Sequence, residues 1–223
     1  MITIYSENFN SYSTGVLWAN DGWLQVYQQG DAYHEARTPA IPGGTGTKAV
    51  YGTFPNTGAG AMVDGHYIND GTHEAYGEFT ISWLVQVDGN PTLLDLCGMS
   101  ATSSGTSAWW LDFSTTSGVV FNDSAGAHVL SGTGFPSGSL WTGSKRFKVE
   151  TGVTGDLRVT ADNVEVYSAV GTALMPTSDM LQIYTVKKTA SAAGTDASIF
   201  GNVLVEVPGT PPPPPPFPSF YYP

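Results

Sequence analysis

The stretch Ala108-Trp109-Trp110-Leu111-Asp112-Phe113, followed by Ser114-Thr115-Thr116-Ser117-Gly118 and then Val119-Val120-Phe121-Asn122-Asp123, decides the fold. Two runs rich in aromatic and β-branched residues flank a five-residue polar turn closed by glycine, which is the chemistry of a β-hairpin. Side chains alternate across a strand, so Trp109 and Trp110, being adjacent, must point to opposite faces of it.

The same alternation recurs on both sides of the hairpin. It marks strands at Gly22 to Tyr27 and Phe79 to Val87, and again at Arg146 to Glu150. A second hairpin set follows, with Lys145 to Thr151 joined by Gly152 to Gly155 to Asp156–Thr160, and by Ala161-Asp162-Asn163 to Val164–Tyr167. Met180 to Val186 and Ser198 to Val207 supply late strands, and Ile2 to Asn8 and Lys48 to Tyr51 early ones. The expected total is about ten to thirteen strands, too many for one open sheet without splitting into two. The sequence therefore predicts an all-β, two-sheet antiparallel jelly-roll sandwich over residues 1–207, with a proline-rich tail over 208–223.

Composition agrees. The 223 residues include 27 glycines, 12% aromatics and only 12% charged residues, a profile of short strands and tight turns. Net charge is −11, and no basic cluster exceeds Lys145-Arg146 with Lys148 or the pair Lys187-Lys188. Nucleic acid, which needs a concentrated basic footprint, is excluded as an expected partner. Cys97, the sole cysteine, reads as a small buried hydrophobe and makes no intramolecular disulfide. The start, MITIYSENF, has neither the basic opening nor the apolar run of a signal peptide, and no stretch reaches the length of a membrane span. Synthesis in the cytoplasm of a host cell is the expectation.

The order of elements resembles the concanavalin A-like lectin and glucanase sandwiches, including laminin G-like domains. The residues that carry the likeness are Glu7-Asn8-Phe9 with Tyr12, Gly15 and Gly22-Trp23, the Trp109 to Asp123 hairpin, the unit from Trp141 to Tyr167, and the closing Asn202-Val203-Leu204-Val205. The resemblance implies that the first and last strands lie side by side. It also implies a glycan-related function and leaves room for one structural calcium, with no other cofactor.

Catalytic and metal chemistry is sparse. Glycan hydrolysis needs two carboxylates about 5 Å apart for retention, and the E-x-D-x-E pattern typical of the family is absent. Glu74 and Glu78 have i, i+4 spacing but read as solvated acids at a strand opening. Gln182 to Lys187 only faintly echoes the tyrosine-bearing strand of the polysaccharide lyases of this fold. Histidines 34, 66, 73 and 128 are scattered without zinc-ligand spacing. Asp64-Gly65, Asn69-Asp70-Gly71, Asp88-Gly89-Asn90 and Asn122-Asp123 read first as turns and second as oxygen donors for calcium. No G-x-S-x-G elbow is present. Sugar binding would use an aromatic face beside polar groups, which makes Trp109, Trp110 and Trp18 the candidate glycan contacts.

The tail holds nine of the fifteen prolines. Pro211, Pro212, Pro213, Pro214, Pro215 and Pro216 favour a stiff extended helix of roughly 3.1 Å per residue that cannot join a sheet. Phe217, Phe220, Tyr221 and Tyr222 add apolar area suited to a groove on another protein. These residues are the expected docking element, binding other subunits of an assembly. The resulting expectation is a non-enzymatic structural protein of a tailed-phage virion, a capsid decoration, cement or fibre-like module, with glycan-binding capacity on the sandwich and a cell-surface glycan as second partner. The alternative is a carbohydrate-binding module or glycan-active enzyme of the same fold.

Overall fold

The computed structural model describes residues 1–20, 22–54, 59–67, 78–87, 96–103, 106–114, 117–123, 125–133, 143–152, 156–170, 180–187 and 195–209. The strands are β1 (Ile2–Glu7), β2 (Gly15–Val16), β3 (Trp23–Gln29), β4 (Tyr33–Arg37), β5 (Ala49–Phe54), β6 (Gly60–Tyr67), β7 (Phe79–Val87) and β8 (Leu96–Ser103). They continue as β9 (Thr106–Ser114), β10 (Gly118–Asp123), β11 (Gly126–Val129), β12 (Ser144–Thr151), β13 (Leu157–Ala161), β14 (Val164–Ala169), β15 (Met180–Lys187) and β16 (Thr195–Val207). Among the described residues one 3-10 turn is present, over Leu17–Ala19. The sixteen strands form two antiparallel sheets, nine-stranded in the order β14-β13-β12-β7-β16-β5-β4-β2 with β1 on β16, and seven-stranded in the order β11-β10-β9-β8-β15-β6-β3.

The expected jelly-roll sandwich is present, and the terminal strands meet as the resemblance implied: Ile2 pairs with Val207 and Glu7 with Val203. The opening hairpin holds its register, Ser114 opposite Gly118 and Trp110 opposite Asn122. Asp162 and Asn163 both have positive φ, 49° and 67°, and turn β13 into β14 as the sequence suggests. The strand count was underestimated because β2, β4, β6, β8 and β11 lack clear alternation. Asp64-Gly65, expected as a turn, lies inside β6, opposite Ile183 and Gln182 of β15. The local turn preference of an Asp-Gly pair gives way there to a buried partner for the carboxylate.

The core is aromatic. Phe79, Ile81, Trp83, Val85 and Val87 point inward from β7, facing Trp109, Leu111, Phe113, Val119 and Phe121 from β9 and β10. Trp83 stacks on Trp109 at 6.2 Å and 15°, and Trp109 on Phe121 at 5.9 Å. Phe147 of β12 meets both Trp83 and Phe113. Each ring buried against another adds roughly 0.5–1.5 kcal/mol beyond its area. The outer face of the nine-stranded sheet is partly covered by the segment before β5, where Ile41 packs with Ala49, Tyr51, Leu84 and Ile199.

Candidate binding site

Alternation on β9, β10 and β15 sorts their side chains cleanly. Trp109, Leu111 and Phe113 enter the core, as do Val119, Phe121, Leu181 and Ile183. Trp110, Asp112, Asn122, Gln182 and Tyr184 therefore share the outer face of the seven-stranded sheet. Register places them in two rows across the strands. One row runs Val120, Asp112, Gly98, Tyr184, Val63, Tyr27; the other runs Asn122, Trp110, Ser100, Gln182, Gly65, Leu24. The rows contain one carboxylate and no cationic side chain.

Asp112 and Tyr184 are two strands apart, yet they touch. Gly98 stands between them in register and brings no side chain into the row. The phenol crosses β8 and donates a hydrogen bond to Asp112 Oδ1, its oxygen also lying 3.1 Å from the Leu111 carbonyl. Asn122 Nδ2 donates to Asp112 Oδ2 at 2.8 Å, and Trp110 is a further hydrogen-bonding neighbour of the carboxylate. Burial raises the pKa of Asp112 above the ordinary carboxylate value, although the bonds from Tyr184, Asn122 and Trp110 act in the opposite direction. The phenol has one proton and two acceptors within reach, the Asp112 carboxylate and the Leu111 carbonyl. Trp110 and Asp112 are half-buried, while Asn122 and Tyr184 are largely covered.

Of the candidate glycan contacts, Trp110 lies in this cluster. Trp109 does not: it is fully buried, stacked between Trp83 and Phe121, and its face is unavailable to a sugar. The correction follows from the same alternation that turns its neighbour to the outer face. Trp18 is 46% exposed on the 3-10 turn beside β3. Four strand spacings, about 19 Å, separate β3 from β9, so Trp18 does not join the cluster. Tail residues Pro211 to Tyr222 lie outside the described residues, as do Trp141, Glu74 and His73.

Sequence reasoning missed a buried polar chain between the sheets. His34 Nδ1 lies 2.6 Å from Asp64 Oδ2, His34 Nε2 lies 3.0 Å from Thr185 Oγ1, and Thr185 Oγ1 lies 2.8 Å from Ser198 Oγ. One proton arrangement satisfies this run: Ser198 donates to Thr185, Thr185 to Nε2, and Nδ1–H to Asp64. The order of groups is that of a hydrolase triad, but none of the four is more than 2% exposed. It links β4 and β16 of one sheet to β6 and β15 of the other, and it acts as a clamp. Gly52 makes room for it, since a Cβ there would run into the Ser198 hydroxyl and stand 2.7 Å from Thr185 Oγ1.

The oxygen-rich stretches divide similarly. Asp64 is committed to His34. Asp123 Oδ1 accepts from the Ala125 and Gly126 amides at 2.8 and 3.2 Å and lies 3.1 Å from His128 Nε2. Residues 69–71 and 88–90 lie outside the described residues. Among the described residues no group of three His, Cys, Asp or Glu side chains converges.

No protein-family model matches this chain, and no curated protein matches it by sequence. Solved structures match it through the fold. A sialidase superposes with a TM-score of 0.62 at 10% identity over 93% of this chain, which spans only 19% of the sialidase. The exoplasmic/lumenal domain of VIP36, in a Ca2+-bound form, gives 0.56 at 9% identity over 93% of this chain and 92% of that one. A conserved carbohydrate esterase from Shiga toxin-encoding bacteriophage phi24B gives 0.55 at 14% identity, covering 93% of this chain and 99% of its own. The likeness is one of fold: these proteins share with this chain a two-sheet antiparallel β-sandwich.

Proposed function

We propose that this chain is a non-enzymatic glycan-binding sandwich that serves as a structural component of a larger assembly, a virion protein of decoration, cement or fibre type held by residues 208–223. The observation that carries the binding half is the outer-face cluster, the half-buried Trp110 indole beside Asp112, Asn122 and Gln182 in two otherwise neutral rows. A sugar ring stacks its apolar face on an aromatic side chain while its hydroxyls need fixed donors and acceptors. With no cation in the rows and −11 on the chain, the preferred glycan is neutral rather than acidic. Glycoside hydrolysis would require a second carboxylate facing Asp112 across the ligand, and the two rows contain none.

The assembly half is supported by where the chain leaves the sandwich. Val207 pairs with Ile2, and Gly209 sits against the Ile2 side chain, both on the nine-stranded layer. A segment held from there leaves the seven-stranded face free. The matching phage carbohydrate esterase is in keeping with either half. A second reading, a glycan-active enzyme, is favoured by the Asp112–Tyr184 contact alone, since a carboxyl of raised pKa beside a phenol is suited to proton transfer.

Titration calorimetry with neutral and uronic-acid oligosaccharides tests the binding half. Neutral ligands should bind and Trp110→Ala should abolish the heat; binding that survives the substitution overturns the site. Release of reducing ends that Asp112→Asn stops would replace this reading with the enzyme. Removal of residues 210–223 should leave a folded sandwich that no longer enters its assembly, and retained incorporation would count against the anchor.

A further inference from the structure

The two edges of the seven-stranded sheet differ. β11 is four residues long, whereas β3 offers seven, Trp23-Leu24-Gln25-Val26-Tyr27-Gln28-Gln29, and all but Trp23 are exposed. Among the described residues β3 pairs only with β6, so its other backbone edge has no partner strand. Natural sheets protect such edges with charge, proline or shortness. The edge strand β14 of the nine-stranded sheet carries Glu165 bonded to Arg158 at 2.8 Å, and β2 at the other end has two residues. β3 has no charge and no proline, and its one protective feature is a bulge between Gln25 and Tyr27. Leu24, Val26 and Tyr27 are 46%, 46% and 50% exposed, with Tyr67 beside them at 48%.

We infer that β3 is the dimerisation edge of this protein, pairing antiparallel with β3 of a second copy about a two-fold axis. Charge selects the occupant. Two chains of −11 repel wherever their acidic surfaces face each other, and a strand with seven uncharged residues lets them meet in any register without opposing like charges. A two-fold contact needs a surface complementary to itself, and a neutral strand of apolar and amide side chains provides it. The proline run of the tail is unsuited to this edge, because it has no backbone donors to offer. Pairing would join two seven-stranded sheets into one. The two Asp112 clusters would then lie on one continuous face nine strand spacings apart, about 43 Å at 4.8 Å per spacing, a geometry for repeated ligands. The inference does not rest on glycan binding.

Sedimentation velocity on the full chain in low and high salt tests it. A dimer that tightens as salt screens the net charge is expected. Val26→Glu and Tyr27→Glu should each weaken it by about tenfold or more while the melting temperature stays put, and Val164→Glu on β14 should change nothing. Amides of residues 23–29 should lose exchange protection on dilution, an observation that needs no variant. A chain that stays monomeric at high micromolar concentration in high salt overturns the inference. So does a dimer that both Glu variants leave intact, including one that disappears only when residues 210–223 are removed.

Discussion

On the inner face of the seven-stranded sheet Asp64 meets an imidazole; on its outer face Asp112 meets a phenol, an amide and an indole. Both carboxylates leave water, and they are satisfied differently. Asp64 has a histidine that hands its other nitrogen to a hydroxyl relay, closing the circuit inside the protein. Asp112 has only neutral donors, and burial pushes its pKa up. The two indoles of the Trp109-Trp110 pair divide along the same line, one sealed between aromatic rings and the other half-buried on the outer face of the sheet. Asp64 is closed off between the sheets, whereas Asp112, hydrogen-bonded through both oxygens, lies on the outer face.

The contrast is broken most severely from the inside. His34→Ala leaves the Asp64 charge buried without its partner and is expected to cost about 3–5 kcal/mol in urea denaturation. Trp109→Ala should cost a similar amount, about 3–5 kcal/mol, through the cavity between Trp83 and Phe121. If either variant unfolds like the parent, the clamp or the stack is not what holds the sheets. Gly52→Ala, which forces a methyl against Ser198 and Thr185, should cost about 1–3 kcal/mol. Outer-face substitutions should act weakly on stability and strongly on binding: Trp110→Ala is expected to cost about 1 kcal/mol while removing glycan affinity.

The smallest expected effect has the opposite sign. A carboxyl whose folded pKa lies above its unfolded one contributes stability below the unfolded value and loses it as pH rises through the folded value. Ionised Asp112 therefore weighs against the fold at neutral pH. Asp112→Asn, with the Asn122 amide free to reorient, should raise the melting temperature at neutral pH, and the gain should fade below about pH 4. A variant less stable than the parent at neutral pH would mean that its hydrogen bonds outweigh burial.

Phe79 to Val87 is legible in the sequence to the residue because Thr80, Ser82 and Gln86 alternate with apolar side chains, even though both of its faces are largely covered. β5, whose Ala49 to Phe54 are buried throughout, was read only in part, and its neighbour β4 was not read at all. In neither does polarity alternate along the sequence: Ala49 to Phe54 has no regular polar position, and Tyr33-His34-Glu35-Ala36-Arg37 buries a histidine. Asp64-Gly65 misled because its partner, His34, is thirty residues away and invisible to local reasoning. Trp110 was legible as half of an adjacent pair, but which indole faced outward required the register. Asp112 and Tyr184 were out of reach of the sequence, since nothing local announces that Gly98 clears a path between two strands that are not neighbours in the chain.

The long β16 has one further consequence. Along one side it is held by β5 through its first half and by β1 through its second, and β7 runs along the other side. A pull on the C-terminus directed along this strand would load many rungs of the ladder at once in shear, instead of unzipping them singly from an end. Force applied at Val207 along the strand would thus be shared between β1, β5 and β7.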